Sequence, residues 1–397
     1  MVVDMGGGTV DLCTYILLKL DELQLEEACV GQGGRCGGTW IDRNFHELME
    51  KKFGDSFTQL PTNQTGVGSD FMEKFEKEKR KFSGKSRANK SIEMHLRMPN
   101  LNKNDPIIAA SYDFSDESVK ISAKEMKALI DPVLKKTFLL VLEQKRRTEE
   151  AQQGKKRELR TIILCGGLSG CPYVEERFEE FVDEELEGKV DLVYPEYPWS
   201  AIVRGAVISG LLKSPVTFRR CRDHLGISVH VPFDRTKHKD EERYICPVQG
   251  LRAKGQMLWH VSKGERISAN MRRKFEVYAV AEDFDDEEKE DWVVFQDLYG
   301  CSEDDAPKRM DEQLVFTATQ MKIDLTPVVK SERRRLKSER QPWPENVKFN
   351  ITLEMRLGSN RGILEVTARR KNTSLGNVVL EYEKGTACSG SLTEEGR

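Results

Sequence analysis

The residues with the clearest chemical potential form the run Asp4-Met-Gly-Gly-Gly-Thr-Val-Asp11. A glycine triplet can adopt positive φ and carries no Cβ, so its backbone N–H groups can approach a phosphate closely. Asp4 and Asp11 flank the triplet with hard oxygen ligands of the kind that Mg²⁺ takes, directly or through water. Val2 and Val3 predict a buried strand, and Val10–Leu18 predicts a returning strand. This strand–turn–strand arrangement differs from the P-loop, in which the glycines open a helix. An ordinary glycine-rich β-turn is the alternative.

A second glycine-rich segment runs from Gly31 to Asp42 and precedes a stretch with helical periodicity. The N-terminus of a helix is a natural anion site, because its free N–H groups and its dipole point the same way. Gly37 and Gly38 are therefore candidates for a phosphate contact. Taken alone, the segment also fits an ordinary helix start.

Helical spacing brings several polar residues onto one face of a predicted helix over residues 69–82. Glu76, Lys79, Arg80 and Ser83 stand at positions i, i+3, i+4 and i+7, which are neighbours on a helix surface. One interpretation is a solvated face with a Glu76–Arg80 ion pair. The other is a binding face, and the pattern alone leaves both open.

A further glycine pair, Gly166 and Gly167, follows the strand predicted at Thr161–Cys165. Pro172 then fits the first position of a helix, where its missing N–H is tolerated. A glycine turn between a strand and a helix is a candidate for binding a ligand. It occurs in many α/β turns, so the motif is not specific on its own.

The segments between these motifs predict the elements that position them. Ser91–Met98 and Ile107–Phe114 alternate in hydrophobicity and predict strands. Ser122 and Glu125 form a capping-box pattern that opens a helix. Pro132 should kink or split that helix.

The character of the chain changes near residue 216. Before it, residues 145–160 predict an exposed connection and Trp199–Leu212 predicts a buried helix. After it the apolar pattern has period two, most clearly in Val347–Leu357, which predicts an antiparallel β-sandwich. The stretch 302–344 predicts loops or insertions.

Composition narrows the class of protein. The chain has 397 residues, with 38% hydrophobic residues, 32% charged residues and a net charge of −3, so it has no general attraction for nucleic acid or anionic membranes. Nine scattered cysteines without a C-x-x-C pair predict reduced thiols. The apolar runs are too short for a membrane span, and Met1 leads directly into a core strand without a signal peptide. We expect a soluble, cytoplasmic protein.

The run D-x-G-G-G-T-x-D at residues 4–11 resembles the second phosphate loop of the actin-like ATPases, most closely that of the 70-kDa heat-shock protein family. The series E-x-x-K-R-x-x-S at residues 76–83 is similar to the adenosine-binding helix of that family. Gly37, Gly38 and Asp42 match the family pattern G-G-x-x-F-D. These motifs occur in the family's order along the chain.

The second adenosine loop of the family, V-G-G-S-x-R-x-P, is matched at the glycines 166–167 and at Pro172. Leu168 stands where serine is usual, and Gly170 stands where an arginine usually stacks on the base. Trp-Ser at 199–200 replaces the usual acidic pair of the closing helix. These differences look most like the divergent branch called heat shock 70 kDa protein 12.

The resemblance implies an α/β actin-like (ribonuclease-H-like) ATPase lobe followed by a mainly antiparallel β-sandwich. Residues 1–215 would form a partial nucleotide-binding domain with the second lobe and the adenosine site. Residues 216–397 would form a β-rich, substrate-binding-like domain. Family members carry a first lobe before the D-x-G-G-G-T-x-D run, so the resemblance implies that this chain lacks that N-terminal lobe.

The resemblance also implies a site for ATP or ADP with Mg²⁺. The residues that it assigns to the phosphates are Gly6, Gly7, Gly8 and Thr9, with Gly37 and Gly38. It assigns two roles to Asp4 and Asp11. They would hold Mg²⁺ through water, and they would orient the attacking water. The residues that it assigns to adenosine are Glu76 at the ribose, then Lys79, Arg80 and Ser83 at the purine, with Gly166 and Gly167.

The function that the resemblance implies is that of an ATP-binding molecular chaperone of the stress response. Weak ATP hydrolysis would be coupled to the binding of client proteins or peptides, with a co-chaperone as a further partner. The first alternative is a catalytically inactive interaction protein that retains the actin-like fold as a scaffold. The second is a sugar kinase of the same superfold, a class that shares the glycine hairpin but lacks the E-x-x-K-R-x-x-S helix and the β-sandwich.

Overall fold

The computed structural model describes residues 1–84, 91–152, 155, 157–212, 214–268, 271–311, 313–357 and 363–381. The chain folds into two compact units. Unit 1 comprises Met1–Tyr15 and Gly31–Lys213, and unit 2 comprises Ile16–Val30 and Ser214–Arg397. The functional boundary at residues 215 and 216 stays a prediction, because compactness alone assigns no function.

Short strands and helices alternate in the first half of the chain, and strands dominate the second half. The strands are β1 (Val2–Met5), β2 (Val10–Cys13), β3 (Tyr15–Lys19), β4 (Gln24–Glu27), β5 (Gln32–Gly34), β6 (Ile92–His95), β7 (Tyr112–Asp113), β8 (Ser118–Ile121), β9 (Thr161–Cys165), β10 (Asp191–Val193), β11 (Val216–Arg220), β12 (His224–Pro232), β13 (Arg243–Cys246), β14 (Gly250–Val261), β15 (Arg266–Ser268), β16 (Met271–Ala281), β17 (Val293–Cys301), β18 (Phe316–Asp324), β19 (Val347–Leu357), β20 (Ile363–Arg370) and β21 (Thr373–Glu381). The helices are α1 (Gly38–Phe53), α2 (Asp55–Thr58), α3 (Thr62–Thr65), α4 (Asp70–Lys81), α5 (Pro106–Ser111), α6 (Ala123–Ala151), α7 (Pro172–Glu185), α8 (Ala201–Leu211) and α9 (Thr326–Ser338).

The central sheet of unit 1 has the strand order β10-β9-β1-β2-β5. Strand β1 lies parallel to β9 and antiparallel to β2. Its alternate residues Val3 and Met5 are fully buried and belong to the same core as Phe45 of α1 and Ile130 of α6. Because β1 is flanked on both sides, the glycine turn that follows it begins at the middle of the sheet.

The described residues of unit 2 form three sheets, with the orders β15-β11-β4-β3, β13-β14-β12-β17-β18 and β16-β19-β20-β21. The last two are mainly antiparallel, as the period-two pattern predicted. They contribute to one hydrophobic core, which includes Leu298 of β17, Met321 of β18 and Phe349 and Leu353 of β19.

A buried carboxylate joins the strands of the first of these sheets. Glu26 of β4 accepts two hydrogen bonds from the Arg266 guanidinium, both at 2.9 Å, and one from Arg220 at 3.1 Å. The Arg266 guanidinium also lies 3.3 Å from the ring centroid of Phe218. Charge-assisted hydrogen bonds of this kind are stronger than neutral ones, so Glu26 links β4 to both β11 and β15.

Several predicted elements are confirmed closely. Strand β19 has the predicted bounds Val347–Leu357, and α4 begins after Ser69, whose side chain caps the helix by accepting from the Met72 amide at 3.2 Å. The capping box of Ser122 and Glu125 is present at the start of α6. Each of these signals is local, so neighbouring residues suffice to specify it.

The strand predicted at Ile107–Phe114 is wrong for most of its length. Residues 106–111 form the helix α5, and only Tyr112 and Asp113 are extended. Pro106 stands in the first turn of α5, and the Asp105 carboxylate accepts hydrogen bonds from the amides of Ile107 and Ile108. This N-cap outweighs the strand preference of the two isoleucines.

The burial predicted for the helix within Trp199–Leu212 is also wrong. Helix α8 forms, but none of its residues is buried, and Val207 and Leu211 are 61% and 81% exposed. An apolar composition indicates that a helix needs a packing partner. It does not indicate that the same unit supplies that partner.

Three further predictions need correction. The predicted strand Val10–Leu18 is interrupted at the buried Thr14, so that β2 and β3 belong to different sheets. Helix α6 continues through Pro132 to Ala151. Residues 145–151 are therefore helical and are not part of the connection that was predicted at 145–160. The stretch 302–344 contains β18 and α9 and is therefore not only loop.

Some features concern only the part of the chain that the structure describes. The turn predicted at residues 358–362 lies outside it. Within it, the cysteines are free thiols. No helix there combines the length and the apolar character that a membrane crossing requires.

Candidate nucleotide site

The glycine turn after β1 is closed by one internal hydrogen bond, from the Gly6 amide to the Thr9 carbonyl at 2.9 Å. Gly7 and Gly8 are exposed, and a Cβ on either would meet no atom within 4 Å. Among the described residues, no carbonyl accepts from the amides of Gly7 and Gly8. These two amides are therefore open to an external acceptor, as a phosphate site requires.

The two aspartates that flank the turn stand directly opposite each other. Antiparallel pairing of β1 with β2 aligns Asp4 with Asp11, and the Asp11 carboxylate accepts from the Thr9 hydroxyl at 2.9 Å. Burial, and then the charge of Asp11, raise the pKa of Asp4 above its usual value. Two carboxylates in this position repel each other, so a cation between them is favoured.

The donor set at Asp4 and Asp11 fits Mg²⁺ better than a transition metal. Within the described residues no group of three or more histidine, cysteine, aspartate or glutamate side chains could enclose a metal ion. Mg²⁺ commonly binds through one or two carboxylates and completes its shell with water and phosphate oxygens. The pair Asp4 and Asp11 matches that arrangement.

The second glycine segment lies against the first, and this changes the expected role of its amides. The amides of Gly37, Gly38 and Thr39 donate to the carbonyls of Gly8, Gly6 and Gly7, at 3.2, 3.0 and 2.7 Å. A Cβ on Gly37 would stand 2.6 Å from the Gly6 and Gly7 carbonyl oxygens. The N-terminus of α1 thus holds the carbonyl side of the glycine turn, and its first amides are already paired.

The third glycine pair packs beneath Asp4. Gly166 has φ +92°, and a Cβ there would stand 2.5 Å from both Asp4 Oδ1 and the Met5 carbonyl oxygen. Glycine is therefore required at this position. Gly167 is exposed, with open space around it, which leaves its backbone accessible. Burial, and then the charge of Asp4, raise the pKa of the neighbouring Cys165 to about 12, so this thiol stays protonated.

The polar face of α4 contains a buried lysine between two carboxylates. Lys79 is only 4% exposed, and its ammonium lies 2.6 Å from Asp42 Oδ1 and 2.5 Å from Glu76 Oε2. Arg80 is largely exposed and donates to Glu76 Oε1 at 2.7 Å. Burial alone would raise the pKa of Glu76, but the hydrogen bonds and charges of Lys79 and Arg80 outweigh it and leave that pKa below its usual value.

The end of α4 is fixed to the loop that follows β9. Ser83 donates to Glu176 Oε1 of α7 at 2.6 Å. The Cys171 thiol donates to the Lys79 carbonyl at 3.2 Å, and the Tyr173 amide donates to the Phe82 carbonyl at 2.9 Å. The two predicted adenosine elements are therefore neighbours, although about 90 residues separate them in the chain.

The structure joins all four motifs into one network within unit 1. The glycine turn contacts the start of α1, Asp42 of α1 contacts Lys79 of α4, and α4 contacts the turn after β9. Sequence reasoning missed Glu176 as the partner of Ser83, and it noted Asp42 only as a motif match. Nothing in local spacing points to Glu176, because its partner is 93 positions away.

A family model described as Hsp70 protein matches residues 1–225, more than half of the chain. The chain belongs to the Hsp70 family. The prediction made from the glycine and adenosine motifs is thus confirmed, and membership implies the actin-like ATPase fold for the mixed α/β part of the chain. The Hsp70 match also extends through β11 to the start of β12.

Among curated relatives, this Hsp70 chain is similar to heat shock 70 kDa protein 12A from human, with 25% identity over 258 residues. The mouse protein of the same name is 26% identical over 258 residues. The matched region covers 62% of this chain and 36% of each relative. The chain therefore matches about a third of the length of these relatives, and the predicted resemblance to this branch is confirmed.

Proposed function

We propose that this chain binds ATP and ADP with Mg²⁺ through residues 1–215, and that weak ATP hydrolysis there is coupled to the binding of client proteins or peptides. Membership of the Hsp70 family, whose members bind ATP, supports the nucleotide part of the proposal. Client binding is assigned to residues 216–397, where two mainly antiparallel sheets contribute to one core, as in a β-sandwich. A co-chaperone is a further partner under this proposal.

One observation carries the nucleotide proposal, namely the continuity of the four motifs. Segments at residues 4–11, 37–42, 76–83 and 166–172 come from distant parts of the chain and are joined by hydrogen bonds and ion pairs. Separate β-turns and helix starts would have no reason to meet in this way. The alternative interpretation of each motif as an isolated structural feature is therefore the weaker one.

Each group has a role that its surroundings allow. The open amides of Gly7 and Gly8 would donate to the β- and γ-phosphates, and preorganised donors of this kind stabilise charge without reorganisation. Asp4 and Asp11 would hold the water shell of Mg²⁺, which supplies charge neutralisation at the phosphates when bound. Arg80 is largely exposed and would contact the purine. Lys79 and Ser83 would keep their carboxylate partners and position Glu76 and α7.

The test is a calorimetric titration of Mg-ATP and Mg-ADP into the chain and its Arg80→Gln variant. We expect saturable binding, and an affinity loss of at least about tenfold in the variant, because a charge-assisted contact contributes about 1.5–3 kcal/mol. Lys81→Gln is the matched control, since Lys81 is exposed on the same helix. Absence of binding at millimolar Mg-ATP, or equal losses in both variants, would contradict the proposal.

A second candidate function rests on a specific observation. Lys79 and Ser83 are both engaged by carboxylates, and Gly170 replaces the arginine that usually stacks on the base in this family. These features favour an interaction protein that keeps the actin-like fold as a scaffold. Under this alternative, Asp4→Asn leaves partner capture from a cell extract unchanged, whereas a nucleotide-dependent chaperone loses its nucleotide-controlled capture.

A further inference from the structure

The polar groups at the end of α4 differ in the hydrogen bonds that they can still offer to a ligand. Arg80 lies in the last turn of α4, Ser83 lies just beyond it, and Glu176 of α7 contacts Ser83. Under the proposed function this part of the nucleotide site receives the purine, so the inference drawn from it rests on that function. Adenine and guanine differ in the donors and acceptors on their edges. The groups that remain open here therefore decide which base is preferred.

Arg80 provides donors that a ligand can reach. Its side chain is 68% exposed, and its Nε–H donates to Glu76 Oε1 at 2.7 Å. Within the described part of the chain, no acceptor contacts its terminal nitrogens Nη1 and Nη2. The guanidinium is thus held by Glu76 at one nitrogen, and its terminal N–H groups remain open. A guanidinium has donors only, so the ligand atoms beside it have to be acceptors.

Ser83 and Glu176 provide acceptors. The Ser83 hydroxyl donates its one proton to Glu176 Oε1 at 2.6 Å, so this hydroxyl can only accept from a ligand. Glu176 is partly exposed, and its Oε2 accepts from no donor among the described residues. Gly84 lies beside this oxygen, where a Cβ would stand 2.6 Å away, so glycine leaves it uncovered by a side chain. An ionised carboxylate only accepts, so the ligand atoms beside Glu176 have to be donors.

This set of groups matches the edges of guanine better than those of adenine. Guanine carries the acceptors O6 and N7 side by side, which arginine commonly contacts, and its N1–H and N2 amino group are adjacent donors. Adenine has an amino group beside N7, where it would meet the Arg80 donors, and N1 is an acceptor, which a carboxylate repels. Proteins usually read adenine with asparagine or glutamine. Neither residues 76–84 nor residues 166–176 contain one.

We propose that the base subsite of the nucleotide site selects guanine over adenine, with Glu176 as the residue that determines this specificity. The guanine O6 and N7 accept from the terminal N–H groups of Arg80. The carboxylate of Glu176 accepts from the N1–H and the N2 amino group. ATP and ADP remain ligands of the site, with a lower affinity than the corresponding guanine nucleotides.

The test is calorimetric titration of the full chain with the magnesium complexes of GDP, ADP and IDP. We expect GDP to bind at least about tenfold more tightly than ADP, because adenine loses the charge-assisted contacts. IDP should bind more weakly than GDP, because hypoxanthine keeps O6, N7 and N1–H but lacks the N2 amino group. Equal or tighter binding of ADP would overturn the selection of guanine and leave the nucleotide function standing. Absence of saturable binding for all three nucleotides would contradict both.

One variant assigns the preference to Glu176. Glu176→Gln keeps an oxygen that accepts from Ser83, so the link between α4 and α7 is retained, but it replaces the other acceptor with an amide donor. We expect its affinity for Mg-GDP to fall at least about tenfold, with no loss of affinity for Mg-ADP. The matched control is Glu184→Gln, because Glu184 is exposed two turns further along α7. An unchanged preference for GDP in Glu176→Gln, or an equal loss in Glu184→Gln, would refute the role of Glu176.

Discussion

At the scale of single residues, two glycines that are adjacent in sequence differ completely in what they tolerate. A Cβ on Gly166 would meet Asp4 and the Met5 backbone at 2.5 Å, and its φ of +92° disfavours any side chain. Gly167 has open space at the same point. The family motif treats them as a pair, but the physical demand for glycine is much stronger at the first.

We therefore expect Gly166→Ala to lower the free energy of unfolding by about 1–3 kcal/mol or more, from backbone strain and the forced shift of Asp4. Gly167→Ala is the control, and its effect should stay within about 0.5 kcal/mol. Urea unfolding followed by circular dichroism measures both. Similar losses in the two variants would show that the close approach beneath Asp4 is not what requires glycine.

A histidine in unit 2 should make stability depend on pH. His260 stacks on Phe275 with 3.5 Å between ring centroids, and its Nε2 is buried without a partner among the described residues. Burial, and then the charge of Arg273, lower its pKa to about 4. The folded state therefore binds this proton only near pH 4, whereas the unfolded chain binds it near the ordinary value of about 6.5.

Between these two pH values the unfolded state holds more protons, so stability falls as pH drops from about 6.5 to about 4. The full effect of this one group is of the order of 3 kcal/mol, and it is complete at lower pH. His260→Phe keeps the stacking and removes the titration. Unfolding free energies of both proteins at pH 7, 5.5 and 4.5 test this, and parallel pH profiles would argue against a role for His260.

At the scale of secondary-structure elements, β4 depends on side chains as well as on backbone pairing. Glu26 is buried, and Arg220 and Arg266 both donate to it. Removing one partner of a buried ion pair leaves an uncompensated charge, which costs far more than the net contribution of the intact pair. The strand is short, so few other contacts can replace this link.

We expect Glu26→Gln to cost about 3–5 kcal/mol of unfolding free energy, since two guanidinium groups would lose their counter-charge. Glu22→Gln provides the control, because Glu22 forms an exposed pair with Lys19 that should contribute at most about 1 kcal/mol. Thermal and urea unfolding of the two variants measure the contrast. A loss below 1 kcal/mol for Glu26→Gln would mean that backbone pairing alone holds β4.

Helix α8 presents the opposite situation, an element with apolar side chains and no buried residue. Ile202, Val203 and Ile208 are at least half exposed, as are Val207 and Leu211. Contiguous exposed apolar surface of this kind marks an interaction site or a surface prone to aggregation. The helix itself is held by its internal hydrogen bonds, so its surface residues can be changed without loss of core contacts.

We expect the double substitution Val207→Gln and Leu211→Gln to reduce fluorescence enhancement of an apolar dye and to lower self-association in light scattering. The melting temperature should change little, because neither side chain is buried and glutamine has good helix propensity. Ser209→Gln on the same helix is the control and should change neither signal. Unaltered dye binding in the double variant would show that the dye binds another surface.

At the scale of the whole molecule, local patterns predicted the elements better than their partners. The alternation in β19 and the Ser69 cap of α4 depend on neighbouring residues, and both were predicted. Predictions failed where a cap outweighed periodicity, as at Asp105, or where burial depended on a distant partner, as in α8. For the candidate site, the sequence predicts the motifs, and their assignment to a nucleotide stays a prediction. The contacts between the motifs could not be predicted, because residue spacing does not specify which distant segments meet.

The pairing of β4 with β11 shows this most clearly. Leu25 and Glu26 align with Val216 and Phe218, across about 190 positions of sequence. No local stretch of the sequence contains both strands. The change from helical to period-two patterning near residue 216 therefore does not indicate that a strand at residues 24–27 joins this sheet. The composition shift therefore predicted the start of the main β-rich segment and missed its first hairpin.

The inclusion of Ile16–Val30 in unit 2 has a practical consequence for gene engineering. A gene cut after residue 213 would yield a C-terminal fragment without β3 and β4, in which β11 loses its parallel neighbour and Arg220 and Arg266 lose Glu26. Such a fragment would expose a bare strand edge, which promotes aggregation. A version of this unit that folds on its own therefore has to include residues 16–30 together with the residues from 214 onward.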